Sequence, residues 1–322
     1  MSRLLFIIMG SLLFISCKSK QNDTTVSTTK AGYTEQLKIL PDSIHITEEH
    51  FPRKYAPLNI FNQKKKAEYE AIHFWDMVDF SNVELLKKDR QKFDNSFVNF
   101  MGILKTLGNN DVSRKAVLYP LEKSNGDILR YILSLYNKYL YRYNSPFMNH
   151  SVYESVLHWG TKTTKLRISE QQQAKNLLTV ISRNKVGNTA ENFSYTSSDK
   201  ITRMLNRSFA RNILLIFYSP TCGVCKREAR EIAENDKLEK LVRKNDLEII
   251  FVYPGNNETL WKENLEIFPS FAKVGMASEE IVSKGIYDIQ AWPTIYLLNS
   301  KSQVILRDCS LREALDEIMK TK

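Results

Sequence analysis

Cysteine is scarce. The four in 322 residues, at positions 17, 222, 225 and 309, are too few and too unevenly spaced for the disulfide framework of a small secreted fold. A zinc site built from two CxxC pairs is excluded as well, because the lone Cys222–Cys225 pair supplies only two ligands. The five histidines, at 45, 50, 73, 150 and 158, show no i, i+4 spacing for a helical metal pair and read as packed or surface residues. The net charge of +10 is spread along the chain, with Lys64-Lys65-Lys66 as the one run of three. That run suits the solvated start of a helix, and no basic patch suggests nucleic acid. No fixed repeat period is visible. The apolar run Leu4–Ile15 has twelve residues, too short for a stable membrane span.

A short apolar run behind Met1-Ser2-Arg3 instead reads as an export signal. It closes on Phe14-Ile15-Ser16-Cys17, which resembles the lipobox of bacterial lipoproteins. The resemblance implies a signal peptide over residues 1–16 and a Cys17 that is acylated and becomes the first mature residue. Cleavage would remove only Arg3 among the charged residues, lowering +10 to +9. A basic, lipid-anchored chain suits a surface of anionic head groups. Residues 17–33, rich in Ser, Thr, Asn, Asp, Lys and Gln, read as a flexible tether.

With 43% hydrophobic and 11% aromatic residues the remainder is globular and long enough for two domains. Residues 34–184 carry helical periodicity after a proline-broken start. Phe74, Trp75 and Val78 share a face. Over Val83–Leu107, Leu86, Phe93, Phe97, Phe100, Met101 and Leu104 form one stripe of a long helix. Further helices are expected over Asp111–Leu121, Asp127–Tyr143 and His150–Trp159. Asn144-Ser145-Pro146 acts as a stop, and a capping box at Ser169–Gln172 precedes a last helix. Tyr131, Tyr136, Tyr139, Tyr141 and Tyr143 read as core at helical spacing.

After a polar break at Asn184–Asn188 the period becomes strand-like over residues 188–322. Strands are expected at Phe193–Tyr195, Ile213–Tyr218, Leu247–Tyr253, Ile295–Leu298 and Gln303–Asp308, with helices at Arg227–Lys244 and Leu311–Met319. Ile213–Tyr218 is a buried strand that turns at Ser219-Pro220 into Cys222-Gly223-Val224-Cys225. A first cysteine on a helix N-terminus has its thiolate stabilised by unpaired N–H groups and the macrodipole. A second cysteine one turn on can resolve a mixed disulfide.

This order, with Trp292-Pro293-Thr294 ahead of the last hairpin, resembles the thioredoxin fold, and the anchored, exported context resembles TlpA-type thiol-disulfide oxidoreductases. Phe74-Trp75-Asp76, Tyr143-Asn144-Ser145-Pro146 and Asn184-Lys185-Val186-Gly187 extend the likeness to thioredoxin-like lipoproteins with a helical N-terminal domain of unknown function. The implied fold class is α + α/β, a helical domain followed by a thioredoxin fold. The resemblance further implies catalytic Cys222 and Cys225, and a substrate edge at Trp292, Pro293 and Thr294 with Pro293 cis. The implied activity is thiol-disulfide exchange on protein dithiols and disulfides in the cell envelope, with the lipid anchor in a bacterial membrane and the protein facing the periplasm. No cofactor, metal or nucleic acid is implied, and the electron donor or acceptor is open.

The chain departs from thioredoxin in three places. Thr221 stands where thioredoxin has tryptophan, Ile216 where it has a buried acid, and Gly223-Val224 lacks the proline or histidine of several relatives. Without the buried acid, deprotonation of Cys225 falls to water or to a carboxylate such as Glu228 or Glu231. Lys226 and Arg227 favour the Cys222 thiolate as solvated cations. A peroxidase reading fails at Leu215, where peroxiredoxins carry proline. Cys309 reads as a buried bystander in the last strand. The alternative function is a lipoprotein that binds a partner through its helical half, with a static disulfide in the thioredoxin fold.

Overall fold

The computed structural model describes residues 44–45 and 50–320, and Ser43–Lys322 form one unit. The expected signal peptide, Cys17 and tether lie outside the described residues. Among those residues no helix is long and apolar enough to cross a membrane.

Eight helices follow a short β1–β2 pairing (Ile44–His45 with Arg53–Lys54): α1 Gln63–His73, α2 Val83–Lys88, α3 Arg90–Leu107, α4 Asp111–Ala116, α5 Leu118–Lys123, α6 Gly126–Tyr136, α7 His150–Lys162 and α8 Ile168–Ser182. Their core is aromatic. Trp75 stacks on Phe93 with centroids 5.4 Å apart and meets Phe100 edge-on at 5.5 Å. Phe93, Phe97, Phe100, Met101 and Leu104 are buried on one stripe of α3, as their spacing predicts.

The expected single helix over Val83–Leu107 is two, parted at Asp89, whose φ of −103° and ψ of 34° leave the helical region. Asp111–Leu121 likewise divides, at Val117. The last helix begins at Ile168 rather than after Ser169: the Glu170 carboxylate accepts the Arg167 N–H at 2.8 Å, so the reach-back comes two residues earlier than the Ser-x-x-Gln spacing suggests. Beyond Tyr136, α6 widens into a π turn, Asn137–Tyr141. The wider turn rotates the side chains that follow, and Tyr141 ends buried against the second half of the chain. Of the five tyrosines expected in the core, Tyr136 and Tyr141 are buried, Tyr131 and Tyr139 half-buried, and Tyr143 exposed.

The second half is a seven-stranded mixed sheet in the order β4-β3-β7-β6-β5-β8-β9: β3 Ser194–Ser197, β4 Thr202–Met204, β5 Asn212–Phe217, β6 Leu247–Pro254, β7 Lys273–Ala277, β8 Thr294–Asn299 and β9 Val304–Cys309. Strand β5 is an interior strand of this sheet, parallel to β6 and antiparallel to β8. All six of its residues are buried because both faces are covered. Leu214 and Ile216 meet one layer, which holds α9 (Gly223–Ala233), α10 (Asp236–Arg243) and α13 (Leu311–Lys320). Ile213, Leu215 and Phe217 meet Phe193, Tyr287 and Tyr296 on the other face. Two short helices, α11 (Glu258–Lys262) and α12 (Glu280–Ser283), flank β7 in sequence.

The expected helix Arg227–Lys244 is broken at Asn235. The Asn235 side chain accepts the N–H groups of Lys237 at 3.1 Å and Leu238 at 3.3 Å, and this capping ends α9 and restarts the chain as α10. Strand β7 was not expected from the sequence, since Lys-Val-Gly-Met-Ala has weak strand character. Gly275 is required there by contact: a Cβ at this position would run into the Tyr195 ring on β3.

The polar break at Asn184 is a pinned joint. Asn184, at φ 50°, donates to the Ile286 carbonyl at 2.7 Å and accepts the Glu191 N–H at 2.7 Å.

Candidate active site

Register brings the sequence motifs together. Phe217, the last residue of β5, pairs with Thr294, the first of β8, so the segment leaving β5 and the segment entering β8 lie side by side at one end of the sheet. The first carries Cys222 and Cys225. The second carries the Trp292–Pro293 bond, which is cis.

A turn in which the Cys222 N–H donates to the Ser219 carbonyl at 3.0 Å delivers Cys222 to the N-cap of α9. Its Sγ accepts the Cys225 N–H at 3.1 Å, the place where helix N–H groups lack backbone partners. The two cysteines form a disulfide with Cα atoms 5.3 Å apart. Cys222 is half-buried while Cys225 is 2% exposed, so an incoming sulfur meets Cys222 first. Cys222 Sγ also lies 3.4 Å from the carbonyl oxygen of Trp292, a residue that is 37% exposed. Of the three residues expected at the substrate edge only Trp292 is exposed: Pro293 and Thr294 are buried, and the Thr294 hydroxyl donates to the Ala291 carbonyl at 2.7 Å, closing the backbone around the cis bond.

The surroundings of the pair sharpen its chemistry. Ile216 is fully buried in β5. On α9, Cys225, Ala229 and Ile232 are buried, and Glu228 shares their face three residues after Cys225. Burial pushes the Glu228 carboxyl up to about 7, with Glu231 adding to the rise and Arg227 opposing it. Its Oε2 is buried without a hydrogen-bond partner. Glu231 is exposed, so of the two carboxylates considered from the sequence only Glu228 stands on the cysteine face. Lys226 is not a free solvated cation, because its Nζ donates to Asn264 Oδ1 at 2.7 Å. Cys309, expected to be buried, is half-buried at the end of β9; its thiol donates to the Ile295 carbonyl at 3.7 Å, and burial pushes it up to about 12, which favours the thiol over the thiolate at neutral pH. Among the described residues no group of three or more His, Cys, Asp or Glu side chains is placed to hold a metal ion.

Sequence reasoning missed a buried polar node behind the cis bond. The Tyr141 hydroxyl donates to Asp288 Oδ1 at 2.8 Å, and Arg307 donates to Asp288 Oδ2 at 3.4 Å. Arg307 also donates to the carbonyls of Ile181 at 2.8 Å and Arg183 at 3.0 Å, at the end of α8. No spacing rule links residues so far apart in sequence; Asp288 and the Arg307-Asp308 pair within apolar stretches were the available signal.

A mixed sheet with CxxC on a helix N-terminus beside a cis proline defines a thioredoxin-like protein, here preceded by a helical domain. The solved structure of a thioredoxin-like protein from Bacteroides caccae superposes on 86% of this chain and 100% of its own with a TM-score of 0.77 and 26% identity. A conserved protein of unknown function from Bacteroides fragilis shares 30% identity over 42% of this chain and 98% of its own, with a TM-score of 0.40. The thioredoxin domain of a thiol-disulfide oxidoreductase from Bacteroides vulgatus shares 17% identity over 42% of this chain and 97% of its own, with a TM-score of 0.38. No curated protein matches the chain. Residues 16–184, just over half of the sequence, match the family described as a domain of unknown function, DUF5106, and the chain belongs to that family.

Proposed function

We propose that this chain is a thiol-disulfide oxidoreductase of the cell envelope that acts on protein dithiols and disulfides and is tethered to a bacterial membrane through a lipidated Cys17. The observation that carries the reading is the half-buried Cys222 sulfur, 3.4 Å from the Trp292 carbonyl beside a cis proline, with its partner Cys225 buried behind it.

From the disulfide form, a substrate thiolate attacks Cys222 Sγ. The new S–S bond forms as the Cys222–Cys225 bond breaks, and Cys225 leaves as a thiolate that takes a proton. The second substrate thiolate attacks the substrate sulfur of the mixed disulfide and expels the Cys222 thiolate. Two electrons pass from the substrate dithiol to the protein. Run backwards, the same steps reduce a substrate disulfide, and the direction follows the relative potentials. The helix N-terminus favours the Cys222 thiolate in both directions. Glu228, whose carboxyl burial pushes up to about 7, is the group we assign to carry the Cys225 proton. The exposed face of Trp292 and the backbone on either side of the cis bond supply an edge for an extended polypeptide.

The test is a Cys225→Ala protein offered a peptide disulfide. A stable mixed disulfide through Cys222 supports the reading, and its absence under conditions where the wild type also exchanges nothing favours a partner-binding protein with a static disulfide.

A further inference from the structure

The run Asp288-Ile289-Gln290-Ala291-Trp292 leads directly into the cis bond, and the helical half holds its beginning. Tyr141 closes the π turn of the helical half and is buried there, its ring stacked on Tyr153 at 5.6 Å with an interplanar angle of 16°. Its hydroxyl donates to Asp288 at 2.8 Å, and its backbone carbonyl accepts from Gln290 Nε2 at 3.2 Å. Asp288 itself is 6% exposed and is met from β9 by Arg307, whose side chain is 9% exposed and is fixed by the carbonyls ending α8. A buried carboxylate held from both halves has one available position, since any displacement leaves a buried charge or donor without its partner. Four residues later that fixed backbone presents the Trp292 carbonyl to Cys222.

We propose that Tyr141 is a positioning residue for the substrate edge: through Asp288 the DUF5106 half sets the backbone at Trp292–Pro293 and so selects extended polypeptide disulfides over small ones. The inference rests on the thiol-disulfide exchange reading above. Small disulfides need only the Cys222 sulfur, whereas a polypeptide needs the sulfur and the edge together. Loss of the Tyr141 hydroxyl therefore acts on one substrate class and spares the other.

The experiment compares full-length wild type and Tyr141→Phe on two probes, a cysteine-containing peptide disulfide and oxidised glutathione. Phenylalanine keeps the ring stack and removes one hydrogen bond to a charged group, so kcat/KM for the peptide should fall about tenfold, mainly through KM. The rate with glutathione and the equilibrium constant of the Cys222–Cys225 pair against glutathione should each stay within about twofold. Amide exchange of residues 288–294 should quicken in Tyr141→Phe while that of β5 and β6 stays slow. Arg183→Met is the structural control, because it breaks two other bonds between the halves, to the carbonyls of Lys284 and Gly285. It should lower the melting temperature and leave the peptide-to-glutathione ratio unchanged. An unchanged ratio in Tyr141→Phe, or an equal change in Arg183→Met, overturns the proposal. Should Tyr141→Phe not fold, Asp288→Asn is read by the same ratio and the same criterion. A wild type that exchanges with neither probe overturns the underlying reading instead.

Discussion

Among the described residues Glu228 and Asp308 are the two carboxyls that burial shifts toward the protonated form. Both carboxyls are pushed up by burial, to about 7 and about 6 from ordinary values of 4.5 and 3.8, and each therefore binds its proton more tightly folded than unfolded. The stability each contributes is complete below its unfolded value and is lost as pH rises through its folded value. Asp308, 8% exposed with both oxygens unpartnered, gives the cleaner test. Asp308→Asn should raise stability at pH 8 by about 1–3 kcal/mol and flatten the fall between pH 4 and 7, measured by urea unfolding across pH. Asparagine also tolerates the positive φ of 54° at this position. For Glu228 the readout is kinetic. Glu228→Gln should slow release of the mixed disulfide by about tenfold or more and remove an inflection near pH 7 from the rate profile; a profile identical to wild type would return the proton transfer to water. From sequence Glu228 stood level with Glu231 and Asp308 was not singled out at all, because burial of a particular charged side chain depends on what the opposite layer places over it.

At the scale of elements, the account turns on where local signals beat periodic ones. Apolar spacing made β5, β6, β8 and the aromatic face of α3 legible, and the CxxC with Trp292-Pro293-Thr294 made the site legible, since each is a contiguous pattern. The break between α9 and α10 was hidden because the apolar period continues through it, while Asn235 captures two N–H groups and ends the first helix. Asn235→Ala should cost about 1 kcal/mol in thermal unfolding. Strand β7 was hidden for a different reason: its defining residue is a glycine that makes no apolar signal. Gly275→Ala sets a methyl against the Tyr195 ring and should cost about 1–3 kcal/mol, and an unchanged melting temperature would show that β3 yields there.

Taken whole, the molecule joins its halves by buried polar bonds that no sequence pattern announces: Tyr141 to Asp288, Arg307 to the end of α8, Asn184 to Ile286. These ties predict that the described part of the chain unfolds as one cooperative unit. Trp75→Ala, deep in the helical core and far from the cysteines in sequence, should cost about 3–5 kcal/mol and lower the unfolding temperature of both halves together in calorimetry. Two separated transitions would show that the joint does not couple them. Under the proposed function, the same coupling would give the DUF5106 half a part in the chemistry at Cys222 without contributing a reacting atom.

That chemistry is most directly tested by the exchange rate of purified wild type and Cys222→Ser with a peptide disulfide, followed by mass spectrometry. The account predicts rapid exchange by the wild type and a loss of at least about a hundredfold in the variant, with every mixed disulfide of the wild type mapped to Cys222. A Cys222→Ser protein as active as wild type would contradict it.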